Sequence, residues 1–240
     1  MLLRLCFFAC ALLNVAQITA VFAADLKDNP FAAESVLPYQ YPPFDKIKDE
    51  QFVPAIETGM REQLKEIEPI ANNSEKPTFD NTIVALERSG QLLERANLAF
   101  SAVNGANTND TLQATDTKTA PLFAAHGDFI YLNAKLFQRV KYLHDHQAEL
   151  NLNPEQAKVL DVYYKGFVHA GAELPAAKQA QLKIINKRLS TLQTDFTQKL
   201  LAAAKAGAVH DWPGSPIRSK LQLPSITEPT SPAVEERGLV

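Results

Sequence analysis

The sequence predicts an all-α fold, a bundle of helices joined by short loops. Apolar residues recur at spacings of three and four in six stretches, capping residues begin several of these stretches, and no alternating run indicates a strand. The longest pattern, residues 174–206, places six apolar residues on one helical face: Leu182, Ile185, Leu189, Leu192, Phe196 and Leu200. Ordering about thirty residues costs more backbone entropy than this stripe can offset, so we expect the other helices to form a groove that buries it.

Residues 24–48 are predicted to form an extended N-terminal arm, because prolines within them block helix formation. Four apolar residues are expected to anchor this arm across the helical surface: Leu37, Tyr39, Tyr41 and Phe44. A helical domain is predicted over residues 49–209. Its first helix carries a stripe of Phe52, Ile56, Met60, Leu64 and Ile67 and ends before residues 72–77, which break the periodicity.

The second helix is predicted to begin with Thr78 as its N-cap. Its apolar stripe consists of Phe79, Ile83, Leu86, Leu93, Phe100 and Val103. Gly90 lies within this stripe, which indicates that another helix approaches closely there. A turn is predicted at residues 105–110, and the third helix, beginning near Asp110, is expected to be kinked or divided by Pro121.

The later helices have recognisable ends. Asn133 is the predicted N-cap of the fourth helix and Asn153 is that of the fifth, which Gly171 ends. In the sixth and longest helix, Pro175 suits the first position and Gly207 suits a left-handed C-cap.

Both ends of the chain are predicted to lie outside the fold. Residues 1–23 have the composition of a signal peptide, with a short positive region at Arg4 and small residues before a cleavage point at Ala24. Cys6 and Cys10 lie inside this segment, so the cleaved chain would contain no disulfide or thiolate metal site. We therefore expect export, to the periplasm. Residues 210–240 contain five prolines and no helical periodicity, which predicts a disordered tail.

Composition and charge exclude several classes of partner. The formal net charge is −3, which offers no electrostatic basis for binding nucleic acid. After the signal segment no apolar run is long enough to cross a bilayer. We therefore expect no nucleic-acid partner, and no membrane association once the signal peptide is removed.

The histidines do not form a hydrolytic zinc site of the His-Glu-x-x-His kind. The sequence contains five histidines: His126, His144, His146, His169 and His210. None of them is followed by Glu, and none has a second histidine three or four residues away. His144 and His146 would point to different sides of a helix, which favours a solvated helix end over adventitious metal binding. His169 and Glu173 are four residues apart, but Gly171 should end the helix between them.

Other catalytic motifs are also missing from the sequence. It contains no Gly-x-Ser-x-Gly element, and its glycines have neither the dinucleotide-binding nor the phosphate-loop spacing. Tyr163 and Tyr164 could line a peptide groove, or they could belong to the core. No residue is therefore predicted to be catalytic, cofactor-binding or metal-binding.

Seven short motifs occur in a fixed order between residues 29 and 209. They are Leu37-Pro38-Tyr39, Pro42-Pro43-Phe44-Asp45-Lys46-Ile47, Phe52-Val53-Pro54-Ala55-Ile56 with Gly59-Met60, Pro77-Thr78-Phe79-Asp80-Asn81-Thr82-Ile83, Gly105-Ala106-Asn107-Thr108-Asn109, Tyr131-Leu132-Asn133 and Ala206-Gly207-Ala208-Val209. Together they resemble the N-terminal region of bacterial peptidyl-dipeptidases (dipeptidyl carboxypeptidases), which belong to the thimet-oligopeptidase and oligopeptidase A type of zinc metallopeptidases.

This resemblance implies a helical region that walls one side of a deep channel for short peptides, from which a C-terminal dipeptide is released. In that family a Glu activates a zinc-bound water on a His-Glu-x-x-His helix far downstream, and a further Glu is the third ligand. These positions have no counterpart in this sequence. The resemblance thus implies a hydrolase family whose cofactor is zinc, and a chain that lacks the zinc site and is inactive alone.

Two interpretations fit the loss of the resemblance after residue 209. In the first, the gene is interrupted and residues 210–240 are an out-of-frame tail on a truncated fragment of a peptidase. In the second, the chain is a stand-alone helical module that binds peptides or a partner protein without cleaving them.

Overall fold

Helices account for all the long elements of the chain in the computed structural model, which describes Leu26 and residues 28–207. The six long ones are α1 (Phe52–Ala71), α2 (Gln91–Asn107), α3 (Asp110–Tyr131), α4 (Ala134–Asp145), α5 (Pro154–His169) and α6 (Ala176–Gly207). No strand occurs in this described part, which confirms the predicted all-α class. None of the described helices combines the length and apolar character needed to cross a bilayer.

The predicted signal peptide and the whole of the predicted tail lie outside the described residues, so cleavage, export, periplasmic location and a disordered tail stay predictions. The chain divides into two compact units, Met1–Gln198 and Lys199–Val240. The hydrophobic core lies in the first unit. Of the second unit, the described residues are those at the C-terminal end of α6.

Side-chain caps fix the starts of the helices where the sequence predicts them. Asn133 Oδ1 accepts hydrogen bonds from the backbone N–H groups of two residues in the first turn of α4. Asn153 Oδ1 accepts one from the Gln156 backbone N at 2.8 Å, and Gln156 Oε1 accepts one from the Asn153 backbone N in return. Asn109 caps α3 in the same way, at the predicted start. These donors would otherwise have no intrahelical partner.

The second predicted helix is interrupted, contrary to the sequence-based prediction. Thr78 is the N-cap as predicted, but it begins a π-helical segment, Phe79–Val84, that leads into a single α-helical turn and then a break. Gly90 follows that break with φ 77°, a left-handed conformation that glycine adopts at little cost. Its backbone N donates to Glu66 Oε2 at 2.7 Å. Gly90 therefore serves a turn and does not lie on a continuous helical stripe.

Two further boundaries differ from the predictions. Gly105 lies inside α2, which continues to Asn107, so the connection to α3 is shorter than the predicted turn. Pro121 lies within α3, which is one helix in spite of it, so the predicted division does not occur.

The core consists of two clusters that α1 joins. The first contains Phe31, Phe52, Ala55, Ile56, Met60, Leu93, Ala96, Ala99, Phe100 and Leu112. The second contains Ile67, Ala71, Ile83, Leu86, Leu136, Phe137, Val140, Leu143, Leu160 and Phe167. The N-terminal part of α1 thus packs in one cluster and its C-terminal part in the other. The predicted apolar stripe of the first helix therefore supplies residues to both core clusters.

The N-terminal arm is anchored differently from the prediction. Leu37, Tyr39 and Tyr41 are exposed, and of the four predicted anchors only Phe44 packs against the core. The main anchor is Phe31, which is 4% exposed and whose ring centroid lies 5.6 Å from that of Phe52. A short 3₁₀ turn, Pro30–Ala32, directs Phe31 inward. Asn29 links this turn to α1, because its Nδ2 donates to the backbone O of Gln51 at 2.9 Å.

The apolar stripe of α6 is not buried, which contradicts the groove expected from the sequence. Ile185, Leu189, Leu192 and Phe196 are each about half exposed or more, and Leu200, in the second unit, is exposed as well. Leu182 is the most covered of the six. The reason lies on the opposite face of the same helix.

Candidate functional site

The side of α6 that packs against the rest of the first unit is polar. Asn186 Nδ2 donates to Asp128 Oδ1 of α3 at 2.7 Å. Gln198 Nε2 donates to Thr117 Oγ1 at 2.8 Å and to the backbone O of Gln113 at 3.0 Å, both also in α3. Between them, Thr194 is 8% exposed. Spacings of eight and four place Asn186, Thr194 and Gln198 on one side of the helix, so α6 is held to α3 through hydrogen bonds.

The opposite side of α6 forms a continuous apolar surface. We name it the outer face; it consists of Ile185, Leu189, Leu192 and Phe196, which are 58%, 49%, 48% and 68% exposed. Their spacing of four, three and four aligns them along the helix. Because each is already about half covered, burying the remainder would be worth about 1 kcal/mol per residue. Contiguous exposed apolar surface of this kind marks an interaction site, and the outer face is therefore the candidate functional surface of this chain.

The two histidines at the end of α4 are held apart by different tyrosines. The His144 ring stacks on Tyr164, with centroids 3.8 Å apart. The His146 ring stacks on Tyr142 at 4.2 Å, and its Nδ1 lies 2.8 Å from the Tyr142 backbone O. His144 and His146 therefore occupy separate contacts and do not converge on a common point. His169, the other candidate, is exposed at the end of α5.

Tyr163 and Tyr164 are half-buried residues of α5 and pack against the second core cluster. Tyr163 borders a cavity of about 280 Å³ that His126 also lines. Burial first, and then the carboxylate of Glu87, raise the pKa of Tyr163 above its ordinary value. The structure therefore favours the core interpretation of these tyrosines over the groove interpretation.

His126 is partly buried on α3, facing α1. Its Nε2 lies 2.6 Å from Gln63 Oε1, and Gln63 Nε2 is 3.4 Å from Ser89 Oγ, which in turn donates to the Leu86 backbone O at 2.7 Å. Burial lowers the pKa of His126, because the charged imidazolium would lose hydration. This chain of polar groups links α1, α3 and the break before α2.

Arg139 is a structural residue that was not predicted from the sequence. It is 6% exposed, and its guanidinium donates to the backbone O atoms of Asn73 and Glu75 and to the side chains of Asn81 and Thr82. It thereby fixes the loop between α1 and the π-helical segment. A signal was present, because a charge lies on the apolar stripe of α4, between Leu136 and Leu143.

The described residues do not fit a zinc ion. A catalytic zinc needs three protein ligands from His, Glu, Asp or Cys. In residues 28–207 no group of three or more such side chains could hold a metal. The absence of metal-binding and catalytic residues from the whole chain stays a prediction.

Known proteins similar to this chain are peptidases. Over 184 residues, or 77% of the chain, it is 43% identical to a dipeptidyl carboxypeptidase of Salmonella typhimurium strain LT2, of which it covers 27%. Over 215 residues, or 88% of the chain, it is 39% identical to a dipeptidyl carboxypeptidase of Escherichia coli K12, of which it covers 31%. No protein-family model matches the chain.

A more distant relative supports the same relation. An oligopeptidase A of Escherichia coli K12 is 26% identical over 166 residues, 69% of this chain and 24% of that protein. The chain thus spans about a quarter to a third of the length of the relatives it matches. It belongs, over most of its own length, to the family of peptidases that includes dipeptidyl carboxypeptidase and oligopeptidase A.

Proposed function

We propose that this chain forms the N-terminal helical wall of the substrate channel in a zinc-dependent peptidyl-dipeptidase, an enzyme that removes C-terminal dipeptides from short peptides. We also propose that the chain does not cleave peptides by itself. The names of its relatives support the class of reaction. The observation that carries the wall role is the outer face of α6.

One side of α6 is already in contact with the rest of the first unit. Hydrogen bonds from Asn186 and Gln198 attach its polar side to α3, so rotating the helix to bury the outer face would break them. The outer face is therefore available for a different contact. In a longer peptidase, the part of the molecule that the relatives have beyond the matched region would supply that contact.

Hydrolysis by a zinc-bound water requires ligands and a general base at one place. The His-Glu-x-x-His element does not occur in this sequence, and the described residues do not fit the metal. No step through zinc can therefore be assigned to side chains of this chain. Its contribution would be to shape the channel and to support the part that bears the metal.

A chimeric enzyme tests this proposal. Residues of this chain would replace the matched segment of the Escherichia coli dipeptidyl carboxypeptidase, with which they share 39% identity. We expect the chimera to release a dipeptide from an N-acylated tripeptide with a free C-terminal carboxylate, and a chelator to abolish this activity. The isolated chain, supplied with Zn²⁺, should release none.

Variants of the outer face sharpen the test. In the chimera, Leu192→Lys together with Phe196→Lys should lower kcat/KM at least about tenfold, because two charges would enter a buried contact. Val162→Lys, at an exposed valine of α5, should leave kcat/KM unchanged. Dipeptide release by the isolated chain would overturn the proposal that this chain does not cleave peptides by itself. An outer-face variant with full activity would overturn the wall role.

The outer face also supports a second candidate function, a helical module that binds peptides or a partner protein without cleavage. This alternative predicts a folded isolated chain that retains apolar peptides on a column, and a chimera that lacks hydrolytic activity. The same pair of measurements therefore separates the two candidates.

A further inference from the structure

A cavity of about 360 Å³ lies between the N-terminal arm and α2, away from α6. We name it the arm cavity. Its walls are mostly apolar and include Phe31, Pro42, Phe44, Leu98 and Ala99. This volume falls at the small end of the range for ligand sites, about 300–1,000 Å³. The arm cavity could therefore enclose a compact ligand with an apolar body.

One cationic side chain, Arg95 of α2, lines the arm cavity. Its Nη2 is 3.4 Å from the backbone O of Phe31, a long hydrogen bond. Its Nε is buried and has no hydrogen-bond partner among the described residues. Within that same part of the chain, no carboxylate forms an ion pair with Arg95. The two terminal nitrogens of a guanidinium carry four N–H donors, and only one hydrogen bond from them is formed within the described residues, so they can still bind an anion.

The loop at the mouth of the arm cavity has an unusual backbone. Tyr39 and Gln40 both have positive φ, 57° and 55°, although neither is glycine. Ser35 holds the loop in this shape, because its Oγ donates to the Tyr41 backbone O at 2.6 Å and accepts from the Leu37 backbone N at 3.2 Å. Such conformations are costly and cluster at ligand sites. Gln40 and Tyr41 also border the arm cavity.

We propose that the arm cavity binds a small monocarboxylate with an apolar body, such as an arylalkanoate, with its carboxylate against Arg95. One guanidinium balances one negative charge, whereas a phosphate dianion would enter a largely apolar site with a second charge unmatched. The apolar walls would cover the hydrocarbon part. This function is independent of peptide hydrolysis and of the outer face.

Calorimetric titration of the purified chain tests the proposal, with 4-phenylbutanoate as the probe and 4-phenylbutan-1-ol as its neutral counterpart. We expect saturable binding of the carboxylate, and at least about tenfold weaker binding of the alcohol, since a hydrogen-bonded charge pair is lost. Arg95→Met should weaken carboxylate binding by a similar factor. Arg88→Met removes an exposed charge outside the cavity and should leave the affinity unchanged.

A second variant protects the test against misfolding of the Arg95 variant. Ala102 is exposed and lines the arm cavity, so Ala102→Phe should fill it and abolish binding of both probes without changing the thermal unfolding curve. The proposal is overturned if the chain does not bind the carboxylate saturably, or if the acid and the alcohol bind equally. Retention of wild-type affinity by either Arg95→Met or Ala102→Phe would overturn it as well.

Discussion

Gly59 of α1 sets how closely α1 and α2 approach. A Cβ atom at this position would lie 2.6 Å from both the backbone N and the Cα of Leu93. Main-chain atoms cannot rotate away as the end of a side chain can, so one helix would have to shift. Both helices supply residues to the first core cluster, and such a shift would disturb its packing.

We expect Gly59→Ala to lower the free energy of unfolding by about 1–3 kcal/mol, the usual cost of overpacking a core. The matched control is Gly127→Ala within α3, where a Cβ atom would meet nothing within 4 Å. That change should raise the free energy of unfolding by up to about 1 kcal/mol, through helix propensity alone. Urea unfolding followed by circular dichroism measures both, and effects of the same sign would contradict the close approach.

His126 should make stability depend on pH. In the folded chain, burial lowers the pKa of His126 below its ordinary value of 6.5. The unfolded chain therefore takes up a proton at higher pH than the folded chain does. The contribution of His126 to the free energy of unfolding is therefore fully present above about pH 6.5. It is lost as the pH falls from there toward the pKa of His126 in the folded chain. The slope for one group cannot exceed about 1.4 kcal/mol per pH unit.

The measurement is the free energy of unfolding between about pH 5 and pH 8 for the chain and for His126→Gln. Below about pH 6.5 we expect the free energy of unfolding to decrease less for the variant than for the unchanged chain, because glutamine does not titrate. His169→Gln, at an exposed histidine, is the control and should keep the decrease. Parallel curves for all three proteins would show that burial of His126 does not affect stability.

At the scale of the element, α6 is attached by its polar side. Asn186→Ala should remove the hydrogen bond to the Asp128 carboxylate and cost about 1–2 kcal/mol locally. We expect faster hydrogen exchange of backbone amides in α6 as the helix detaches. Phe196→Lys changes an outer-face residue that is 68% exposed and should leave the exchange rates unaltered. Faster exchange in the Phe196 variant alone would mean that the outer face, and not the polar side, holds the helix.

Local signals predicted the helix starts correctly, whereas the orientation of α6 could not be predicted. Capping by Asn133 and Asn153 depends on side chains within one turn, and these are visible in the sequence. The periodicity of α6 reveals an apolar stripe but does not say what covers it. Hydrogen bonds to α3 decide the orientation, and they join residues 58 and 81 positions apart in the chain.

The same distinction explains the other errors. The Gln63 side chain of α1 does approach Gly90 closely, but only the packing shows that Gly90 belongs to a turn. Gly59 is outside the predicted stripe of α1, and only the packing shows that the main chains of α1 and α2 come close there. Phe31 was overlooked as an anchor because it is a single apolar residue in a proline-rich arm, with no periodicity around it. Arg95 was overlooked for a similar reason. A single cation on a helix does not indicate a binding site in the sequence, and only the folded chain shows that Arg95 lines the arm cavity.

At the scale of the whole molecule, the first compact unit has a double core and an uncovered apolar surface. The two clusters are joined by α1, so the helices are not independent of one another. The outer face contributes nothing to this core, although burying its four residues would be worth several kcal/mol. An isolated chain in solution can realise part of that energy only by covering the outer face with another molecule.

We therefore expect the isolated chain to self-associate as its concentration rises, with the outer face in the contact. Sedimentation velocity over a hundredfold range of concentration, about 1–100 μM, should show the weight-average sedimentation coefficient increasing. Leu192→Lys with Phe196→Lys should abolish the increase, because lysine at a shared apolar contact would be buried without a partner. Val162→Lys on α5 changes an apolar residue of similar exposure, 57%, outside the outer face, and should leave the increase intact. A monomer at every concentration, or the same concentration dependence of the sedimentation coefficient in both variants, would show that the outer face does not mediate self-association.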